Sequence, residues 1–141
     1  MSVAFPVLYL LMRNDLASMN GGKAMAQSHH AGCAFVKDIG SRIANMEVTN
    51  LTAASYGVWR NSTNQDCGTV LTLAVNEAQM RFTTEAAERY GLVSGIFHDP
   101  TYPLRDGATT HFIPLDTCGW VFTDKNDPVT DLLLGNFPLH P

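Results

Sequence analysis

The hydrophobic and polar positions along the chain fall into short apolar runs separated by longer stretches with a helical repeat. An almost wholly apolar run is typical of a strand that lies between two layers of helices, because neither of its faces meets water. Segments of this kind occupy residues 7–12, 68–76, 92–97 and 118–123. We predict a strand at each of them.

The longest helical repeat begins at about Lys23 and continues to residue 43 or 44. Asn20 or a neighbouring glycine is expected to cap its first turn. Apolar residues that recur at helical spacing predict the face that this helix turns to the core. They are Met25, Gly32, Val36, Ile39 and Ile43, and Cys33 is also expected to lie in the core.

Two further helices are predicted. Residues 77–90 follow Asn76 and Gln79, whose spacing resembles a capping box, and Gly91 stands where a helix end favours glycine. The inward positions of this helix are expected to be Ala78, Phe82, Ala86 and Tyr90. Residues 129–134 follow an Asp-Pro pair, which is typical of a helix start.

The order of these elements predicts an α/β protein with a parallel crossover between residues 68 and 97. No element is predicted for residues 45–67, which lack clean periodicity, and residues 100–116 are expected to form a loop-rich excursion. The last six residues are expected to be draped over the surface or mobile. Because no repeat or linker interrupts the chain, we expect a single domain over residues 1–141.

Composition narrows the class of protein. Hydrophobic residues make up 45% of the chain and charged residues 16%, which allows a buried core. No apolar run reaches the length of a membrane span, about 20 residues, and the N-terminal segment lacks the basic region of a signal peptide. Cys33, Cys67 and Cys118 have no paired spacing, so we expect free thiols in a reducing compartment, the cytoplasm, and no metal site.

Candidate chemistry is concentrated after the first and third predicted strands. Lys23 stands in the first turn of a helix, where a cation opposes the helix dipole at a cost of about 0.3–1 kcal/mol. Lys23, Gln27 and His30 share one helix face, which is either a solvated surface or a functional row. If the first and third strands run in the same direction, Lys23 and Asp99 meet at one edge of the sheet.

At these residues the chain resembles a known family. Residues 12–16, MRNDL, and 19–31, MNGGKAMAQSHHA, resemble the opening of the type-2 peptidyl-tRNA hydrolases, R-x-D-L followed by M-x-x-G-K-x-x-A-Q-x-x-H-A, with one extra residue in the loop. The resemblance is close over residues 7–37. It holds in outline over residues 68–99 and 119–135.

The resemblance implies a three-layer α/β fold, a four-stranded mixed sheet with helices on both faces, that is often paired as a homodimer. It implies hydrolysis of the ester bond of peptidyl-tRNA without a cofactor. The catalytic residues that it implies are Lys23, which stabilises negative charge, and Asp99, which orients Lys23 or the attacking water. The expected substrate-binding residues are Arg13, Asn14, Asn20, Gly22, Gln27 and His30, and a histidine such as His30 could also be a general base or a buried, hydrogen-bonded residue.

The chain departs from the family after Asp99. The family continues roughly as A-G-R-T-x-I-x-P-G, and its threonine is thought to contribute to catalysis, whereas Pro103 occupies that position here. Proline has neither a hydroxyl nor a backbone donor. Thr101 is the expected catalytic replacement, Tyr102 offers another hydroxyl, and an insertion at about residues 108–117 follows.

These departures leave other functions open. One is a catalytically inactive module of the same fold that binds tRNA or a protein. Another is a small-molecule enzyme with Cys67 or Cys118 as nucleophile. The formal net charge of −4 also requires that any tRNA affinity come from a local basic cluster, because phosphate binding favours a basic surface. The cations nearest to one another in sequence are Arg13, Lys23, Lys37 and Arg42.

Overall fold

The computed structural model describes residues 4–141, so the first three residues of the N-terminal segment discussed above lie outside the described part. The described part contains four strands and four helices. In chain order they are β1 (Pro6–Arg13), α1 (Gly21–Ala44), α2 (Asn50–Asn61), β2 (Val70–Val75), α3 (Glu77–Arg89), β3 (Val93–Asp106), β4 (Thr109–Asp124) and α4 (Pro128–Leu134).

The strands form one mixed sheet in the order β2-β1-β4-β3. β1 is parallel to β2 and antiparallel to β4, and β4 is antiparallel to β3. β3 therefore runs in the same direction as β1 and β2, which confirms the predicted crossover. The carboxyl ends of all three strands lie at the same edge of the sheet, where α/β proteins place their ligand sites.

Alternate residues of β1 divide the core between the two faces of the sheet. Leu8, Leu10 and Met12 pack with residues of α1 and α2, including Phe35 and Trp59. The intervening residues Val7, Tyr9 and Leu11 pack with residues of α3 and α4, including Met80 and Leu134. Helices therefore cover both faces, which confirms the three-layer α/β fold.

The predicted inward face of α1 is largely wrong. Met25 is 72% exposed and Val36 is also exposed, while Ile39 alone of the predicted stripe is fully buried. The inward face instead consists of Ala24, Gln27, Ala31, Phe35 and Ile39. A search for regularly spaced large apolar residues misses this face because one of its members, Gln27, is polar. Two others are alanines, whose small side chains allow the helix to approach the sheet closely.

The inward face of α3 is also different from the prediction. Phe82 and Tyr90 are exposed, and of the four predicted positions Ala86 is the buried one. The helix turns Met80, Thr83, Thr84, Ala86 and Ala87 inward. Thr84 donates its hydroxyl to the carbonyl of Met80, so a polar residue is buried at little cost. The predicted capping box and the left-handed Gly91, at φ 78°, are confirmed.

Residues 45–67, for which no element was predicted, contain α2. Its face toward the core is marked by aromatic rather than regularly spaced aliphatic residues. Tyr56 and Trp59 pack edge-on against Phe35 and Phe122. Because small and polar residues fill most other positions of this helix, its amphipathic pattern is weak in the sequence.

The loop predicted for residues 100–116 is also wrong, because β3 and β4 continue through it as a hairpin. The strands pair from Val93–Phe122 to Asp106–Thr109, and Gly107 turns the chain at φ 60°. The register of this pairing shifts between Phe97 and His98 and between Asp99 and Tyr102, as at a β-bulge. Since β1 pairs with β4 only as far as Met12–Cys118, residues 98–116 extend beyond β1 as an arm.

The C-terminal tail, expected to be draped or mobile, lies along β2. Ala74 donates its backbone N–H to Pro138, and His140 donates to Thr72. The tail therefore covers the outer edge of β2 and leaves β3 as the other edge of the sheet. None of the helices in the described part, residues 4–141, is long and apolar enough to cross a membrane.

Candidate active site

The site lies where the first turns of α1 meet the base of the arm, at the carboxyl edge of β1 and β3. Asn20 is the N-cap of α1, because its side-chain oxygen accepts from the backbone N–H of Lys23 at 2.9 Å. This confirms the predicted cap. Gly22 lies exposed in the first turn, where helical N–H groups have no intrahelical acceptor.

Lys23 lies along the arm. Its Nζ donates to the carbonyl oxygen of Pro103 at 2.7 Å and lies 5.0 Å from the centre of the Tyr102 ring. The ammonium is therefore held beside the helix N-terminus by a carbonyl dipole and an aromatic face. A cation in this position adds to the positive field of the helix N-terminus, which favours anionic ligands.

Gln27 is the buried connection between α1 and the sheet. Its Nε2 donates to Oδ2 of Asp99 at 2.7 Å, and its Oε1 accepts from the hydroxyl of Thr117 at 2.5 Å. Both ends of the amide are therefore used, which fixes the side chain and the Asp99 carboxylate relative to each other. Thr117 was not among the predicted site residues.

Asp99 is 8% exposed, and both of its carboxylate oxygens have hydrogen-bond donors. Oδ1 accepts from the backbone N–H of Thr101 at 2.9 Å and lies 3.5 Å from the Thr101 hydroxyl. Within residues 4–141, Asp99 and Lys23 are not paired directly, because each has a separate partner. Both lie on the face of the sheet that α1 covers, because Asp99 contacts Gln27, which is one helical turn from Lys23.

His30 completes the predicted row on α1. Its ring is exposed and stacks on Phe97, with centroids 5.1 Å apart, so the histidine is not buried. Lys23 contacts Pro103, Gln27 contacts Asp99 and His30 contacts Phe97. The three residues therefore meet β3 in order, with α1 running antiparallel to that strand. The helix face predicted from their spacing is the face that α1 turns to β3.

The two hydroxyl groups considered as replacements for the family threonine are in different environments. Tyr102 is fully buried, and its hydroxyl is 2.9 Å from Oγ of Ser18. Thr101 is exposed and lies against the Asp99 carboxylate. Of the two, only Thr101 presents its hydroxyl where a substrate could meet it.

A second group of polar residues occupies the other side of the sheet at the same edge. The Arg13 guanidinium pairs with Asp15 at 2.9 Å and Glu77 at 3.3 Å, and it donates to the backbone carbonyl of Asp116 at 3.1 Å. Arg13 is buried by these contacts. Asn14 follows it at the surface, and its backbone N–H donates to Val75.

Asp116 extends this group to the arm. Its carboxylate accepts from Arg81 at 2.5 Å and lies 2.7 Å from Nδ1 of His98. Burial by itself would raise the pKa of Asp116, but the hydrogen bonds from His98 and Arg81 lower it. The hydrogen bond from Arg13 likewise lowers the pKa of Asp15. Sequence reasoning missed Arg81 and Asp116, because no local spacing signals partners that are 35 residues apart.

The four cations that are candidates for a local basic cluster, Arg13, Lys23, Lys37 and Arg42, are scattered and partly neutralised. Arg13 is neutralised by two carboxylates, and Arg42 pairs with Asp38 at 3.0 Å. Lys37 follows Lys23 by 14 residues, which is about 21 Å along α1. No cluster of three or more histidine, cysteine or acidic residues suited to a metal ion is found in residues 4–141.

An open mixed sheet with polar side chains gathered at the carboxyl ends of its parallel strands belongs to the class of α/β proteins that bind ligands at that edge. The family model described as Peptidyl-tRNA hydrolase PTH2 matches residues 6–118, which is more than half of the 141 residues. The chain therefore belongs to the PTH2 family of peptidyl-tRNA hydrolases. No curated protein matches it.

Proposed function

We propose that this protein hydrolyses the ester bond that joins a peptide to tRNA, releasing the peptide and free tRNA. The family match over residues 6–118 supports the reaction class. The observation that carries the proposal is the arrangement of Lys23, Gln27 and Asp99 along β3, because it brings a cation, a helix N-terminus and an oriented carboxylate to one edge of the sheet.

In this proposal Lys23 and the first turn of α1 stabilise negative charge. The ammonium and the backbone N–H groups near Gly22 face the same region, so they suit a phosphate of the tRNA or the oxyanion that forms at the ester carbon. Asn20 contributes by fixing the helix start. His30 and Asn14 are proposed to contact the substrate, whereas Arg13 would act through its ion pairs with Asp15 and Glu77.

Asp99 is proposed to orient the attacking water. Gln27 and the backbone of Thr101 fix its carboxylate, which leaves its remaining lone pairs to accept a hydrogen bond from water. The Thr101 hydroxyl beside it would take the part of the family threonine. Pro103, which occupies that threonine's position, still contacts Lys23, but through its carbonyl oxygen.

The test is cleavage of an N-blocked aminoacyl-tRNA, followed as release of the blocked amino acid. Lys23→Met and Asp99→Asn should each reduce kcat/KM by about a hundredfold or more, in the range found when a charge-stabilising group is removed. Thr101→Val should reduce it about tenfold or more. Lys37→Met, which removes an exposed lysine about 21 Å further along α1, is the matched control and should retain activity.

The alternative is a module of the same fold that binds tRNA or a protein but has lost turnover. Pro103 at the threonine position favours it. If the wild-type protein binds the blocked aminoacyl-tRNA without cleaving it, the esterase proposal is wrong and this alternative holds. Turnover that is unchanged by Lys23→Met and by Asp99→Asn would mean that another group catalyses the reaction.

We also propose that the protein is a cytoplasmic homodimer. The family resemblance suggests the dimer, and an exposed apolar surface on α3 and α4 formed by Phe82, Tyr90 and Leu132 supports it. Light scattering coupled to size exclusion measures the mass directly. A mass of 15.4 kDa at working concentration would contradict the dimer.

A further inference from the structure

The three cysteines, all of them free thiols, have three different environments. Cys118 is fully buried, and burial raises the pKa of its thiol to about 12, so it is protonated at neutral pH. Cys67 is exposed, and its Sγ lies 3.6 Å from the carbonyl oxygen of Gly68. Cys33, expected in the core, is exposed, and its Sγ lies 3.6 Å from Nε2 of His29.

Cys33 and His29 line a groove of about 610 Å³ on the flank of α1 that faces β2. The groove lies between α1 and the segment that leads into β2. Val36 and Val70 are the exposed apolar residues of its lining, Leu8, Leu10 and Trp59 lie buried beneath it, and Lys37, Asp66 and Cys67 are among its polar residues. A cavity of this size with an apolar lining and a few polar groups is typical of a small-molecule site.

We propose that Cys33 is a reactive thiol and that this groove binds an apolar α,β-unsaturated carbonyl compound, which Cys33 then modifies covalently. The imidazole of His29 takes the thiol proton, and the sulfur forms a bond to the β-carbon while the carbon–carbon double bond shifts its electron pair toward the carbonyl. The imidazolium returns the proton to the α-carbon. The adduct contains every atom of both reactants, so no oxidant or other co-reactant is needed.

The two halves of the groove suit the two halves of such a ligand. Its apolar portion would lie over Val36 and Val70, where part of its surface is removed from water. Its electrophilic carbon would lie at the Cys33 sulfur. Because a thiolate rather than a thiol is the nucleophile, a neighbouring base distinguishes Cys33 from Cys67.

This groove is separate from the proposed hydrolase site. Lys23, Gln27 and His30 face β3, whereas His29 and Cys33 face the β2 side of α1. We therefore expect Cys33→Ser to leave any ester hydrolysis unchanged. The thiol measurements below require no peptidyl-tRNA, so their failure is distinguishable from failure of the proposed function.

The test compares the modification rates of Cys33 and Cys67 in the intact protein, resolved by peptide mass spectrometry. The apolar probe is N-phenylmaleimide, and the small polar probe is iodoacetamide. With N-phenylmaleimide, Cys33 should react at least about tenfold faster than Cys67, because Cys67 lacks an adjacent imidazole. His29→Gln should reduce the Cys33 rate to about that of Cys67 with both probes.

A second variant tests the groove itself. Gly32 lines it, and a Cβ added there meets no atom within 4 Å, so Gly32→Leu fills part of the groove without a clash at the backbone. This variant should slow N-phenylmaleimide at Cys33 about fivefold or more while leaving iodoacetamide unchanged, since only the apolar probe gains from burial. Equal wild-type rates at the two cysteines, or rates insensitive to His29→Gln or Gly32→Leu, would overturn the proposal.

Discussion

Gln27 shows how one polar residue can organise a site. It is 4% exposed, and its amide joins the hydroxyl of Thr117 on β4 to the carboxylate of Asp99 on β3. A buried carboxylate requires hydrogen-bond donors, and a buried hydroxyl requires an acceptor. The amide supplies both, and its position in α1 sets the distance between the helix start and Asp99.

We expect Gln27→Leu to destabilise the protein by about 1–3 kcal/mol, the cost of leaving a buried polar partner without its hydrogen bond. Urea unfolding measures this change. Gln65→Leu, at an exposed glutamine, is the control and should change the free energy of unfolding by less than about 0.5 kcal/mol. A Gln27→Leu variant as stable as the wild type would show that water satisfies Asp99 and Thr117 instead.

At the scale of elements, an ion-pair network connects β1, α3 and the arm. Arg13 pairs with Asp15 and Glu77, and Arg81 pairs with Glu77 and Asp116. The Arg13–Glu77 pair joins the end of β1 to the start of α3, and the Arg81–Asp116 pair joins α3 to β4 in the arm. The network thus fixes the carboxyl edge of the sheet on the face covered by α3, opposite to the face on which Lys23 lies.

This network predicts a specific response to acid. The pKa values of Asp15 and Asp116 are lowered in the folded protein. Their contribution to stability is therefore present above the unfolded-state pKa, about 3.9, and is lost as the pH falls through the folded values. Thermal unfolding measured from neutral pH to about pH 2.5 should show a steep loss of stability below about pH 4.

The variant Asp15→Asn/Asp116→Asn is expected to be less stable than the wild type at neutral pH but to lose less stability on acidification. Asp106→Asn, which changes an exposed residue in the turn of the arm, is the control and should keep the wild-type slope. Parallel curves for the double variant and the wild type would mean that other carboxylates cause the acid transition.

Elements were predictable from the sequence wherever one local signal was strong. The apolar run of β1, the capping box at Asn76 and the Asp127-Pro128 helix start each correspond to an observed boundary. The arm and α2 were missed. In the arm, prolines and polar residues resemble a loop but are tolerated at a sheet edge, and in α2 the packing of two aromatic residues substitutes for a regular apolar stripe.

At the scale of the whole molecule, the distribution of charge disfavours strong binding of nucleic acid. The formal net charge is −4. Arg13, Arg42 and Arg81 each pair with a carboxylate, so they do not offer a free cation to a phosphate. In the described part of the chain, this leaves Lys23 without a cluster of unpaired arginines beside it, which suits the proposed release of tRNA after cleavage.

This distribution predicts weak salt dependence of tRNA binding. If two or three phosphates are neutralised, the affinity should fall about tenfold to fortyfold between 50 and 200 mM salt, from a slope of about −0.9 per phosphate contact. Filter binding with an uncleaved tRNA measures it. Lys23→Met should reduce the slope by about one unit, and Lys125→Met, on the amino-terminal side of the sheet, should not. A slope of about −6 or steeper would show a basic surface that the ion pairs above exclude.

The sequence by itself determined the order and type of most elements, the helix caps and the row Lys23, Gln27 and His30. These depend on neighbours a few residues apart, so local spacing is sufficient to specify them. The tertiary structure alone decided which partners these residues have. Gln27 meets Thr117 across 90 residues and Lys23 meets Pro103 across 80. Such contacts depend on sheet order and on the hairpin that forms the arm, and neither leaves a local pattern in the chain.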